Sequence, residues 1–391
     1  MHAHAGNIHP TRKAITMKTW LAFILAAITL CIHNPGDCSA REVVYAFDQD
    51  FPPFSYFEDG NASGFDIEVL QAALHGKDFQ ITFQPMDWET VQDELAKGSV
   101  HLTSGMAMTE DRKEAYDFTN IPLTNLNINV FIKEGEGAPS SLGDLKGKRV
   151  ATQRGSLYQE LLETLGGVDV ALYDTEPEAL KALAEGNAQA FGGAEKTARY
   201  YIKKNGYQGI RTIGTPLKIT KTYFVAAKGN DYLVQAVNEG LRKMMENGSY
   251  DRIYRKWFVD ELGGEEVEKL ISKAKEVSAN AYAPYSNFQV GAAVLTRSGK
   301  IYTGCNVENA LYGLCATALK VAVFKAISEG DSEIKAAVNV LPDGDLAAPS
   351  ADDRQLLYEF GRGILVIMGS ENESRRTVMA SELLPYAFDM R

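Results

Sequence analysis

The chain has 391 residues, of which 45% are hydrophobic and 23% charged, with 34 Gly and only 13 Pro, so it can bury cores in two or three folded units and is neither collagen-like nor largely disordered. Its formal net charge of −11 excludes phosphate-backbone binding as a main activity, because such binding draws its affinity from a Lys/Arg excess. No nucleic-acid partner is expected.

The first predicted element is the apolar run Trp20–Ile32 (WLAFILAAITLCI), which is too short for the roughly 20 residues that cross a bilayer. Met17-Lys18 ahead of it and Cys38-Ser39-Ala40 behind it have the layout of a cleavable secretory signal. Residues 1–40 are therefore expected to be an upstream segment and a signal, with either Met1 or Met17 as the start. The mature chain would begin near Arg41 in the periplasm or another extracytoplasmic space. The residues before Cys31 and Cys38 do not favour a lipid anchor. Cys305 and Cys315 remain in an oxidising compartment, where they either pair or stay free.

From Arg41 onward strands alternate with helices. VVYAF, a helix over Asp66–Ala73, FQITF, a helix over Trp88–Lys97 and VHLTSGM predict an α/β unit. A second unit begins near Leu142 with strand KRVATQ, a helix over Leu157–Leu165, strand VALY and a helix over Glu176–Glu185. NINVFI and TYFVAA sit where two crossover strands would join the lobes, and a helix over Tyr232–Phe258 returns to the first. Lobe 1 is thus expected from residues 41–131 and 222–260, and lobe 2 from 132–221. Two lobes with a cleft make a clamshell that closes by hinge motion on a small ligand. After the linker Asp260-Glu261-Leu262-Gly263-Gly264, residues 261–391 predict a helix (EEVEKLISKAKEVSANA), strand VGAAVLT, a turn at Ser298-Gly299 and strand KIYTGCNV. A helix over Thr317–Ser328 and strands KAAVNVL and GILVIM follow, so a mixed sheet with helices on its faces is expected.

DFPPFSYFEDGNASGFDIEVLQA, MDWETVQDELAKGSVHLTSGMAMTEDRKEAYDFT and SLGDLKGKRVATQRGS occur in order, and with them the block from Arg41 to about Phe258 resembles the extracytoplasmic solute-binding proteins of amino-acid-type ABC importers (family 3). The resemblance implies a periplasmic-binding-protein clamshell, a small polar ligand (a carboxylate or amino-acid-like) and the membrane subunits of an ABC importer as partners. Arg112 in MTEDR matches the arginine that holds the ligand α-carboxylate in that family, and its planar fork of donors suits a bidentate grip. A surface ion pair with Asp117 or Glu110 is the alternative. Backbone groups near Ser104 and Gly105, with Ser156 in QRGS, match further carboxylate contacts. Phe51 and Phe54 match aromatic positions that floor or wall the pocket, Asp48 matches a carboxylate facing the ligand, and Trp88 reads as lobe packing.

The family commonly ends a second-lobe strand with an Asp that pairs with the ligand ammonium. Here the segment reads Gln189-Ala190-Phe191-Gly192-Gly193-Ala194, so Ala194 stands in its place. Burying an ammonium without a partner is costly. The ligand is therefore either a carboxylate with no α-ammonium or one whose ammonium is met by Glu195 swinging in.

AYAPYSNFQVGAAVLTRSGKIYTGCNVENALYG, KVAVFKAISEGD, RQLLYEF and LLPYAF carry a second resemblance, to the small zinc-dependent cytidine deaminases. It implies a three-layer α/β/α cytidine-deaminase-like domain following the two-lobed α/β clamshell. Zinc deamination needs Cys or His ligands and a non-ligating Glu, in the pattern [H/C]-x-E and P-C-x-x-C. Aligned without gaps, the first motif falls on Thr317-Ala318-Leu319-Lys320 and the second on Pro349-Ser350-Ala351-Asp352-Asp353. The ligand positions then hold Thr317, Ser350 and Asp353, and the catalytic Glu position holds Leu319. Using Cys315 instead does not restore the Glu. Hydroxyls are poor zinc ligands, so no metal or other cofactor is expected, and no catalytic residue is assigned.

Phe288, Asn306 and Glu308 match positions that contact the sugar, and Phe388 one that walls the base pocket in oligomers. Either a nucleoside clamp persists or these residues shape the fold, and the resemblance also implies homo-oligomers through this block. The leading expectation is an exported solute-binding protein fused to a catalytically degenerate deaminase-like domain. The alternative is an active, zinc-loaded cytidine deaminase, converting cytidine to uridine, with an exported ligand-sensing domain.

Overall fold

The protein, seen in a computed structural model, is described over residues 40–369, 375–384 and 387–388; the expected signal segment lies outside the described residues, as do Pro385 and Tyr386 of LLPYAF. Strand Arg41–Asp48 is buried over most of its length and runs parallel to Phe79–Met86. From there a nine-stranded sheet continues through Leu102–Ala107, Ile210–Ala227, Thr124–Lys133, Ala190–Ala194 and Arg149–Gln153 to Asp169–Tyr173 at the far edge. The expected crossovers NINVFI and TYFVAA are parts of two longer antiparallel strands, Thr124–Lys133 and Ile210–Ala227, which run on into lobe 2. Their pairing jumps from Ile213↔Val130 to Lys218↔Ile128. The extra residues loop out at Gly214, whose φ of 64 lies in the left-handed region open to glycine.

The helix expected over Tyr232–Phe258 is two, Asp231–Glu246 and Ser249–Phe258. Gly248, at φ 73, takes the left-handed conformation that ends a helix. The break turns Tyr250, Tyr254 and Phe258, spaced four residues apart, onto one buried stripe, where all three rings pack on Phe65 of helix Phe65–Leu74. A short helix, Glu110–Ala115, and a longer one, Glu195–Lys204, complete the two lobes.

The C-terminal sheet has the order Ile301–Cys305, Gly291–Thr296, Ile334–Val340, Leu365–Met368, Arg376–Met379. Period-two alternation sends Ala293 and Leu295 to one face, under Leu270, Ile271 and Ala274 of helix Gly264–Ser278. Ala292 and Val294 face the other way, under helices Ala318–Ser328 and Ala351–Phe360. This is the three-layer α/β/α arrangement expected. The domain rests on the last clamshell helix: the Arg362 guanidinium lies 4.8 and 5.1 Å from the Tyr250 and Tyr254 ring centres and donates to Asp251 at 3.0 Å. Arg297 pairs with Asp260 at 2.7 Å, and Arg199 of lobe 2 reaches Glu333.

Candidate functional site

Both lobes wall one pocket. Lobe 1 contributes Asp48, Phe51, Trp88, Gly105, Arg112 and Leu126, and lobe 2 contributes Gln153, Ser156, Leu157 and Tyr158. Arg112 sits one turn into a helix capped by Thr109 and is 8% exposed. Its Nη1 donates to Ala107 O at 3.3 Å, and its Nη2 to Gly155 O of lobe 2 at 3.4 Å, with Glu160 at 3.6 Å. The alternative partners are engaged elsewhere, Asp117 with Lys228 and Glu110 with Lys113. Gly155 O also accepts from Trp88 Nε1 at 3.2 Å and Gln92 Nε2 at 3.1 Å. The lobe 2 turn is thereby held to lobe 1 by three side chains.

The other predicted residues divide. Ser104 Oγ turns into the core, donating to Asp66 at 2.6 Å and bonding Tyr45 OH at 2.5 Å. Gly105, at φ 74, brings its backbone against the Phe51 ring. Ser156 Oγ caps helix Leu157–Thr164, accepting from Gln159 N, so this helix N-terminus opens at the pocket. Phe51 lines the cleft, whereas Phe54 stacks behind it at 4.7 Å and packs inward on Phe258. Trp88, read as packing, both packs and lines the cleft.

Asp48 is 6% exposed, with Oδ1 accepting from Asp50 N and Oδ2 from Gln153 Nε2 at 2.9 Å across the cleft. Burial pushes its carboxyl up to about 7. Asp66 beneath Ser104 is raised to about 7 by burial as well. Glu176 is also buried, and burial followed by the Asp48 charge drives it well above the carboxylate range. Glu195 does not turn to the cleft; it bonds Asn127 at 3.1 Å and Arg199 at 2.8 Å. Gln153, at a strand end, and Tyr158, Asp66 and Glu176, in the first turns of helices, carry no short motif in the sequence, because packing of their elements against distant parts of the chain sets where these side chains lie.

In the C-terminal domain the three positions aligned with metal ligands come together. Thr317 Oγ1 donates to Asp353 Oδ1 at 2.6 Å and caps helix Ala318–Ser328 through Lys320 N, while Ser350 Oγ accepts from Asp353 N. Leu319 is 1% exposed and lies in the apolar core. Cys315 is a free thiol whose sulfur bonds the Asn309 backbone, and Cys305 is free too. Among the described residues no group of three His, Cys, Asp or Glu is placed to hold a metal. Asn306 is spent on the backbone of Val290 and Phe288, and Glu308 on Tyr285 N, Ser286 N and the Ser286 hydroxyl. Phe288 and Phe388 are 48% and 70% exposed.

A two-lobed α/β receptor with a ligand cleft at the hinge, followed by a separate three-layer domain, is the class these features define. The profile of the bacterial extracellular solute-binding proteins, family 3, matches residues 43–260, and that of the cytidine and deoxycytidylate deaminase zinc-binding region matches 264–357. The chain belongs to the family 3 extracellular solute-binding proteins and carries a second domain of the cytidine deaminase family. It is 29% identical over 259 residues to a "probable amino-acid-binding protein" of Bacillus subtilis, covering 63% of this chain and 97% of that protein. Over 125 residues it is 39% identical to a cytidine deaminase of Sporosarcina psychrophila, covering 32% of this chain and 91% of the relative. Among solved structures, an ancestral arginine-binding protein bound to arginine is 30% identical with a TM-score of 0.53, over 56% of this chain and 99% of that one.

Proposed function

We propose that the protein is an exported receptor that captures a small amino-acid-like carboxylate by lobe closure and passes it to the membrane subunits of an ABC importer. The observation that carries this is Arg112, a guanidinium buried in the cleft and reaching the backbone of both lobes, at Ala107 O and Gly155 O. A ligand carboxylate would replace these long neutral contacts with charge-assisted ones. Similarity to amino-acid-binding relatives supports the same ligand class. Calorimetric titration with amino acids tests it: Arg112→Met should weaken binding by about 100-fold, in keeping with loss of a buried charged partner, and binding unchanged in that variant would sink the reading.

The C-terminal domain we read as non-catalytic. Its ligand positions offer two hydroxyls and one carboxylate, and Thr317 and Asp353 already satisfy each other, so the donor set does not fit a catalytic zinc. The engagement of Asn306 and Glu308 with the 285–290 loop supports fold shaping over nucleoside capture. Exposed Tyr285, Phe288, Leu311, Tyr312 and Leu314 support assembly of copies through this domain. Incubating the mature chain, Arg41–Arg391, with cytidine and zinc should yield no uridine; chelator-sensitive turnover would establish the deaminase alternative. Molar mass in solution, with and without residues 264–391, checks the assembly.

A further inference from the structure

Ala194 stands at the strand end where the family resemblance implies a carboxylate facing a ligand ammonium, and a carboxyl from another element reaches its backbone. Glu176 opens helix Glu176–Ala184, is 1% exposed, and accepts the Ala194 N–H on Oε1 at 2.9 Å. Its other oxygen, Oε2, is buried with no hydrogen-bond partner. The helix does not need this side chain as a cap, since Thr175 and Glu178 cap it reciprocally. A buried carboxylate oxygen left without a donor is costly to keep. Glu176 feels the Asp48 charge and Tyr158 feels that of Glu176, and both Asp48 and Tyr158 line the cleft. Among the described residues neither Glu176 nor Asp48 has a Lys or Arg partner, and Arg112 reaches Glu160 and two carbonyls instead.

We propose that Glu176 and Asp48 form the cation-recognition end of the cleft, so that the ligand brings a protonated amine to Glu176 Oε2 and Asp48 while Arg112 takes its carboxylate. The inference rests on the solute-receptor reading above and narrows its ligand to amine-bearing acids. The carboxylate missing at position 194 is supplied from eighteen residues upstream along the chain. An ammonium seated there gives Oε2 its donor and offsets two buried carboxylates that the protein itself leaves uncompensated.

The test is calorimetry on the mature chain, Arg41–Arg391, with glycine, L-alanine, L-glutamine, L-histidine, L-arginine and L-cystine, each beside its amine-free carboxylic acid. An amine-bearing acid should bind about 100-fold or more tightly than its amine-free counterpart. Glu176→Gln, which keeps the acceptor for Ala194 N, should weaken the amine ligand by about 10- to 100-fold and leave the amine-free acid within about twofold. Should that variant not fold, Asp48→Asn reads the same discrimination ratio. An amine-free acid binding as tightly as its parent, or a Glu176→Gln affinity within about twofold of wild type, overturns this inference. If Arg112→Met still abolishes binding in that case, the solute-receptor reading stands; if no acid of either kind binds, both fall.

Discussion

Asp48 and Asp66 are carboxyl groups that folding buries under the cleft, and burial raises each to about 7 from an ordinary 3.8. The native state holds these protons where the unfolded chain has released them. Their contribution is therefore fully present below about pH 4 and is lost as pH rises towards 7, by on the order of 4 kcal/mol for each group acting alone. The melting temperature of the ligand-free chain should fall between pH 5 and pH 7.5. Asp48→Asn, which keeps the Asp50 N–H bond while Gln153 turns its amide, should flatten that slope in scanning calorimetry; an unchanged slope would count against Asp48 as a titrating group. At the other centre, Thr317→Ala removes a helix cap and leaves the 2%-exposed Asp353 short of one donor. A loss of about 2 kcal/mol in urea unfolding is expected. Arg112, Asp48 and Gly105 stand out in the sequence through the resemblance to a known family, whereas Glu176 does not, because its position depends on which strand end its helix meets.

Helix packing in lobe 1 depends on a contact that only glycine allows. Helix Phe65–Leu74 crosses Asp231–Glu246 so closely that a Cβ on Gly240 would lie 2.1 Å from Ala73 O. Gly240→Ala should therefore force the helices apart and cost about 3 kcal/mol in denaturant unfolding, although alanine is the better helix former. An alanine variant as stable as wild type would show that the pair can slide at little cost. Most strands and helices were readable from period and caps, and the helix over Trp88–Lys97 agrees end to end. The single helix expected over Tyr232–Phe258 was wrong because apolar periodicity continues across Asn247-Gly248 while the backbone does not.

At the scale of the whole molecule, the C-terminal domain is seated rather than tethered. Arg362 stacks over two buried tyrosines of lobe 1, and Arg199 of lobe 2 meets Glu333, so the domain touches both lobes. Arg362→Ala should loosen this seat by about 2 kcal/mol and split one melting transition into two. A single transition at the wild-type temperature would show that Arg362 does not couple the units. The seat also carries a cost for lobe opening, since separation of the lobes must part Arg199 from Glu333 or move the domain with lobe 2.

The amino-acid sequence by itself determined the order of elements, the division into a two-lobed block and a three-layer block, and the residues at the aligned ligand and metal positions. The element order follows from local periodicity and capping, which act over a few residues, whereas the aligned positions and the three-layer expectation follow from resemblance to known families. Tertiary structure alone decided that Phe54 packs inward, that Trp88 bridges the lobes, that Glu195 is held away from the cleft, and that Glu176 stands beneath Ala194. Each of these depends on strand register and lobe closure, which bring together residues far apart in the chain and set the direction in which each side chain points.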